Sequence, residues 1–582
     1  MRKRAGAFLA AVALMVAAPA LAQTPATQSP ATDTPEALRA EAFEAAQWAI
    51  ASDAADALAK VSARFAQGDD ALGRLAEERE TLITRRDGLE RTLEQLYAAD
   101  APEAQARRAA TRTDYEAVLA RLKTVDADIE TRFPAYSELT SPRALSVEEA
   151  QGLLKDNEAL LLVLVNPEAT YVWGVSRDRI AWARAADLGD AEMTKAVNDL
   201  RGALTTGASR GDPTLDPAIF AGRPVAAFDR TQAYRLYSEL VKPVEGVFEG
   251  KTTLITVVTG ALTTLPLAVL ATEPPTGSDT APEALSTTSW LIDRYALATL
   301  PSVSSLKALR CYLVADPAER SPGCPATTAA PVQTAAVSTA APSFSLAAFG
   351  APILQGAPQD GSRGAPPADG ILGEGRLADV AKLRALPYLP GSKAELDALK
   401  SRYPRALVRT GVAATETAVR QGDAAPLSQA RFVVFSTHGL MAGSTAGEPG
   451  LVLTPPAEAT EADDGYLSAS EAAQLRLHAE FVVLSACNTA ASDGRPGGEG
   501  LSGLARAFFY AGARSVLVSH WEVSDTATTE LISDTFAALD RPGADVGDRA
   551  RALQSAMRSV RADRRWTHPA YWAAFTLVGE PG

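Results

Sequence analysis

The 582-residue chain has few residues that commonly bind metals: three cysteines and four histidines. No two cysteines stand in a C-x-x-C pair, which leaves neither a zinc knuckle nor a thioredoxin-type redox site, and no histidine lies at a metal-ligand spacing from another. No metal and no other cofactor is therefore expected. Basic residues are also in deficit, 56 Lys and Arg against 70 Asp and Glu. A chain this acidic repels phosphate backbones, so nucleic acid is not an expected partner. The arginine-rich piece from Arg561 to Arg565 reads as a solvated helix end. Long apolar runs are scarce too. Arg2, Lys3 and Arg4 precede an apolar stretch, Ala5 to Pro19, and a small-x-small site, Ala20-Leu21-Ala22. That is the form of a secretory signal over residues 1–22, too short to span a bilayer, with no cysteine at the cut to carry a lipid. The expectation is a chain exported across the inner membrane to the periplasm, with no stable membrane span after cleavage. Cleavage removes three basic residues and no acid, leaving 53 basic against 70 acidic side chains, a formal charge of −17. Thr252 to Ala271 is apolar as well, but its β-branched residues, Gly260 and Pro266 make it a strand, a turn and a helix start.

What is present suggests several domains in a globular chain, with 47% hydrophobic and 22% charged residues. Residues 23–34 are rich in Pro, Thr and Ala and read as a disordered lead-in. Over 35–140 the pattern is helical. Leu75, Leu82, Leu89 and Leu96 recur every seven residues, while Tyr115, Val118, Leu122, Val125 and Ile129 alternate by three and four, and Ala101-Pro102 breaks the run. This predicts a coiled-coil-like helical hairpin after a shorter helix from Ala37 to Ala66. The 34-residue tetratricopeptide period is not met. The hairpin is either a spacer or a surface for a protein partner.

Residues 141–315 turn to strands: Ala159 to Val165 and Tyr171 to Val175 as a hairpin about Asn166-Pro167, a third from Ile180, and another at Leu254 to Val258. Residues 316–343 form an Ala/Thr/Pro-rich linker. From Phe344 a strand is followed by a Gly- and Pro-rich loop (Gln355 to Glu374), then helices at Ser392 to Arg402 and at Thr415 to Gln421, the latter capped by Thr415. The alternation of strand and helix predicts an α/β fold, a parallel sheet wrapped by helices.

Two runs carry the chemistry. Phe481 to Leu484 is a buried strand that stops at Ser485, Ala486 and Cys487, and Arg431 to Phe435 is another that stops at Ser436, Thr437, His438 and Gly439. Open α/β sheets place ligands at such carboxyl ends. A thiol beside an imidazole is a nucleophile with its base, and the glycine-rich Gly497 to Gly503 opens a helix just beyond. The plainer reading is an inert cysteine and a core histidine. His520, ending the strand Ser515 to Ser519, is the second candidate base. In an exported chain Cys311 and Cys324 could pair across a short loop and leave Cys487 as the odd thiol; otherwise all three stay reduced.

FSTHG (Phe435 to Gly439), DGYLSASEAAQLRLHAEFVVLSACNT (Asp464 to Thr489), GEGLSGLARAFFYAGARSVLVSHWEVSDTAT (Gly498 to Thr528) and HPAYWAAFTLVG near the C terminus together resemble the CHAT domain, a caspase-like and separase-like cysteine peptidase family. LIDRYALATLPSVSSLKAL (Leu291 to Leu309) extends the resemblance over most of residues 140–580. It implies a caspase-like domain at 344–582 after a pseudo-caspase-like α/β region at 141–315. It also implies a catalytic dyad of His438 and Cys487, an oxyanion hole from the backbone N–H groups of Gly439 and Cys487, and a protein or peptide substrate. Some caspase-like relatives carry an acid two residues before the cysteine, where this chain has Ser485. In such folds the loop after the strand at 515–519 helps line the pocket for the residue preceding the cut. Asp525, then Glu522, would pair there with a basic side chain, and Trp521 would stack on its stem. The alternative for Asp525 is a cap on the helix beginning near Thr526. The expected function is an exported cysteine endopeptidase. The alternative is an idle module on the same fold that binds partners through its helical region.

Overall fold

The computed structural model describes residues 34–35, 37–50, 71–97, 102–132, 144–205, 227–312, 320–324, 344–356, 377–420, 427–440, 449–477, 479–486, 489–490, 503–521, 523–541 and 548–582. The expected signal (1–22), nearly all of the lead-in, residues 51–66 of the first helix, most of the 316–343 linker and the loop at 357–374 lie outside them.

The fold is α/β, built on one eleven-stranded sheet with the order β3-β2-β1-β4-β5-β14-β13-β12-β8-β6-β7. Its strands are β1 (Glu158–Val165), β2 (Thr170–Val175), β3 (Ile180–Ala185), β4 (Thr253–Val258), β5 (Ala296–Thr299), β6 (Phe344–Gly350), β7 (Leu407–Thr410), β8 (Ala430–Ser436), β12 (Phe481–Ser485), β13 (Ser515–Ser519) and β14 (Phe575–Gly579). A second sheet of β9 (Gly439–Leu440), β10 (Gly450–Val452) and β11 (Tyr466–Ser468) stands beside it. The principal helices are α1 (37–50), α2 (Ala71–Tyr97), α3 (Pro102–Arg132), α4 (Asp190–Thr205), α5 (Pro390–Arg402), α6 (Gly503–Tyr510), α7 (Asp525–Leu539) and α8 (Arg549–Ala562).

Two groups of parallel strands make up most of the large sheet, with β2 and β3 added antiparallel at the β1 edge. In one, β1 pairs with β4 and β4 with β5; in the other, β7, β6, β8, β12 and β13 follow one another in parallel. β14 joins them, antiparallel to β13 and parallel to β5. The regions at 141–315 and 344–582 thus share one sheet, held at its seam by the last strand of the chain.

The apolar runs become central strands because they are covered on both faces. On β12, Phe481 and Val483 pack with Leu396 and Leu399 of α5 and Leu531, Ile532 and Phe536 of α7, while Val482 and Leu484 pack with Leu504 and Phe508 of α6. β8 alternates in the same way, Phe432 and Val434 toward α5 and α7, Val433 and Phe435 toward α6.

Near the N terminus, α1 docks on the first group of strands through Phe43, Ala46 and Ile50. Gln47 fixes the docking, donating from Nε2 to Leu145 O (2.9 Å) and accepting from Leu145 N (3.0 Å). α2 and α3 form the expected hairpin, tied by Arg79–Asp126 and Arg121–Glu78 ion pairs on its surface. Cys311 and Cys324 are joined by a disulfide. No helix among the described residues is long and apolar enough to cross a membrane.

Candidate functional site

β8 and β12 are neighbours in parallel register, with Leu484 opposite Phe435 and Ser485 opposite Ser436. His438 and Cys487 each follow their paired serine by two residues, so the register brings both chain segments to one sheet edge. Cys487 and Asn488 themselves lie outside the described residues, as do Glu522 and the side chain of Asp525. The segments flanking Cys487 are firmly held. Ser519, the last residue of β13, donates from Oγ to Ala486 O (2.5 Å), its N–H donates to Thr489 Oγ1 (2.8 Å), and its carbonyl accepts from Ala490 N (2.8 Å). On the other side Ser485 O accepts from Thr437 N (3.3 Å). The described residues on either side of Cys487 are therefore anchored to both neighbouring strands.

His438 is fully buried and its ring is oriented by a backbone carbonyl, with Nε2 2.8 Å from Pro387 O. A carbonyl oxygen only accepts, so Nε2 carries a proton, and in the neutral ring Nδ1 is then the basic nitrogen. The Pro387 segment is pressed against Gly356, whose N–H donates to Leu386 O (3.1 Å); a Cβ at Gly356 would stand 2.4 Å from Ala385 O, so only glycine fits.

Gly439 opens β9 opposite Leu451. Val452 N donates to His438 O (3.0 Å), which makes Gly439–Leu451 the pair without mutual hydrogen bonds and turns the Gly439 N–H away from β10. That N–H is not spent on the ladder, as an oxyanion donor requires.

Three readings from the sequence are corrected. Trp521 is buried, 1% exposed, and its indole N–H donates to Ala570 O (2.9 Å), so the ring belongs to the core and does not line an open pocket. The helix after β13 is capped by Ser524, whose side chain accepts from Ala527 N, and Asp525 is its first helical residue. The capping alternative for Asp525 therefore falls to its neighbour. His520 is no base for Cys487 either. Its Nε2 is bonded to Thr576 Oγ1 (2.9 Å) on β14, across β13 from the cysteine strand. Burial, with the charge of Arg201 nearby, pushes its pKa down to about 3.

The sequence reading missed Pro387, Ser519 and Glu395. Glu395 is fully buried on α5 and its Oε2 accepts from Ser485 Oγ (2.9 Å). A signal for it was present: positions 392, 395, 396 and 399 form one helical stripe, and an acid on an inward stripe calls for a reason. A second acidic group lies in the DGYLS motif. Asp464 accepts from Ala378 N (2.7 Å) and Tyr466 N (2.9 Å), and Glu416 accepts from Asp464 N (2.9 Å) and pairs with Arg420 (2.7 Å). Burial pushes Glu416 up to about 7 and raises Asp464. These contacts tie β11, and through it the small sheet carrying Gly439, to the surrounding chain. Among the described residues no group of His, Cys, Asp and Glu is arranged to hold a metal.

Residues 230–580 match the family described as CHAT domain. Tetratricopeptide repeat protein 28 from Mus musculus is 38% identical over 114 residues, and that from Homo sapiens 34% over 114 residues. Each match takes in 19% of this chain and 4% of the relative, so the chain spans a small part of those proteins. Among solved structures, the Saccharomyces cerevisiae separase–securin complex aligns with a TM-score of 0.38 and 11% identity, over 86% of this chain and 38% of that one.

Proposed function

The chain belongs to the CHAT domain family, and from that premise we propose that it is a cysteine endopeptidase with Cys487 as nucleophile and His438 as its base. The observation that carries this reading is the register of β8 and β12, which pairs Ser436 with Ser485 and leads both segments to one edge. The Pro387 carbonyl adds support, because it fixes the ring and leaves Nδ1 as the nitrogen for proton transfer.

In the proposed cycle, His438 takes the thiol proton and the Cys487 thiolate attacks the peptide carbonyl carbon, forming a C–S bond. The oxygen that gains charge is held by the N–H groups of Gly439 and Cys487. His438 gives its proton to the amine nitrogen as the C–N bond breaks, leaving a thioester. Water then adds with His438 as base, the C–S bond breaks, and the thiol is restored with release of the acid. No cofactor enters any step. The substrate is a protein or peptide, and Asp525 is proposed to favour a basic residue before the cut. The leader-like residues 1–22 support a periplasmic location.

The test is an irreversible peptidyl electrophile on chain lacking residues 1–22, read by intact mass. One adduct on the wild type and none on Cys487→Ala is the expected result. No adduct and no cleavage of a peptide library would overturn the reading in favour of an interaction module that binds through α2 and α3. For specificity, Asp525→Asn should lower cleavage after Arg or Lys at least about tenfold and spare uncharged substrates; Ser524 keeps the helix cap in both forms. A wild type with no preference for basic residues would sink the pocket assignment.

A further inference from the structure

The α5 stripe facing the sheet is apolar at Leu396 and Leu399 but polar one turn earlier, at Ser392 and Glu395, and all four are buried. The sheet answers in kind. The columns Phe432–Val434 on β8 and Phe481–Val483 on β12 face α5 and α7, and the next residue in each column is a serine, Ser436 and Ser485. Ser392 Oγ donates to Ser436 O and accepts from Ala351 N (2.8 Å); Glu395 Oε2 accepts from Ser485 Oγ (2.9 Å). Ala351 N is also 3.1 Å from Ser436 O, and Ala351 sits at φ 46°, a left-handed conformation rare for a residue with a side chain. The close packing extends to Gly350, where a Cβ would stand 2.0 Å from Ser436 O.

One turn of α5 thus grips the two strand ends that lead, two residues on, to His438 and Cys487. Burying a carboxylate here is costly, and an apolar side chain of the same volume would pack with less penalty. Its contact with Ser485 gives the acid a geometric use. Ser485 is held at its hydroxyl by Glu395 and at its carbonyl by Thr437 N, the residue before the histidine.

We propose that Glu395 is a positioning residue for the dyad: through Ser485 it sets the level of the cysteine-bearing strand end against the histidine-bearing one. This rests on the peptidase reading, and its role is that of a hydrogen-bond acceptor acting through Ser485, not of a group that touches substrate. A misplacement of about 1 Å between reacting groups costs roughly a hundredfold in rate, so a strut of this kind acts on turnover and not on substrate affinity.

The test compares wild type, Glu395→Gln, Ser485→Ala and the double variant Glu395→Met with Ser485→Ala, all lacking residues 1–22. The first readout is the rate of alkylation of Cys487 by iodoacetamide at pH 7, the disulfide removing the other two thiols from the reaction. The second is kcat and KM on a cleaved peptide. The double variant replaces both partners with apolar groups and should keep its thermal midpoint. It and Ser485→Ala should lose at least about tenfold in alkylation rate and kcat, with KM within about twofold. Glu395→Gln, whose amide oxygen still accepts, should stay within about threefold of wild type in both. A double variant that alkylates and turns over at the wild-type rate would overturn the proposal. So would a Glu395→Gln variant as impaired as the double, or a loss confined to KM. If the wild type cleaves no peptide, the peptidase reading fails while the alkylation rates still decide the strut.

Discussion

The two groups of parallel strands end differently. At the carboxyl ends of β4 and β5 the polar side chains satisfy the local backbone: Thr259 Oγ1 accepts from Val165 N (2.8 Å), and Ser302 caps the following helix by accepting from Ser305 N (3.3 Å). At the ends of β8 and β12 stand an imidazole oriented from Pro387 and, just before the cysteine, an Ala486 carbonyl held by Ser519. Buried charge divides in the same way. Arg310 lies between Glu158 and Glu580, with four contacts of 2.7 to 2.9 Å that tie β1 to the residue after β14. By contrast, Glu395 meets a serine hydroxyl next to the candidate dyad. One group of strands uses its buried ions to join elements of the fold. The other also has fold-joining acids such as Glu416, but adds buried polar contacts at the two strand ends beside the candidate dyad. A shared architecture therefore carries two roles, and the role is set by what the strand ends hold.

The sharpest way to break this comparison is mutation at both sites. Cys487→Ala and His438→Ala should each lower peptide cleavage by at least about a thousandfold, with the Cys487→Ala midpoint unchanged by calorimetry; residual turnover near wild type would erase the distinction. Arg310→Met should do the reverse, lowering stability by about 3–5 kcal/mol because Glu158 stays buried without its cation and Glu580 is left with the longer Lys155 contact (3.5 Å). Denaturant midpoints check it, and activity per folded molecule should be kept. Smaller, Cys324→Ser should cost about 2–3 kcal/mol by opening a loop of sequence separation 13.

The smallest effect concerns pH, and here two carboxylates have opposite signs. Glu580 is raised by burial, but the charge and hydrogen bonds of Arg310 outweigh this and hold it down to about 2. Its contribution is present above the unfolded value of 4.5 and is lost as pH falls toward 2. Glu416, raised by burial to about 7, contributes most below 4.5 and loses that contribution as pH rises through 7. Glu416→Gln should therefore raise the thermal midpoint by a few degrees at pH 8 and leave it unchanged near pH 4. Equal effects at both pH values would remove Glu416 from the account.

Much of the fold was legible because its signals are local. The continuous run Phe481 to Leu484 means a strand covered on both faces, and Thr415 as a cap follows from its type and place, its Oγ1 accepting from Ala418 N (3.1 Å). Long-range partners were not legible. Pro387 reaches His438 across 51 residues and Glu395 reaches Ser485 across 90, and no periodicity encodes such a meeting. Trp521 misled for a related reason. A tryptophan after a strand looks available for a ligand until its N–H is seen to end on Ala570, 49 residues away. Asp525 lost its capping role to Ser524 because serine caps as well as aspartate and the helix begins one residue earlier than expected.

The seam at β14 has a consequence for how the molecule is made. Val578 pairs with Thr299 on one side and Val516 on the other, so the strand that unites the sheet comes after the other described strands in sequence. Until it pairs, β5 and β13 each present an open edge, and joining β14 to β5 closes the long loop from Thr299 to Val578. Completion of the sheet therefore depends on a contact between residues far apart in sequence. Before that contact forms, the facing edges of β5 and β13 carry unpaired backbone groups that the completed sheet covers at the seam.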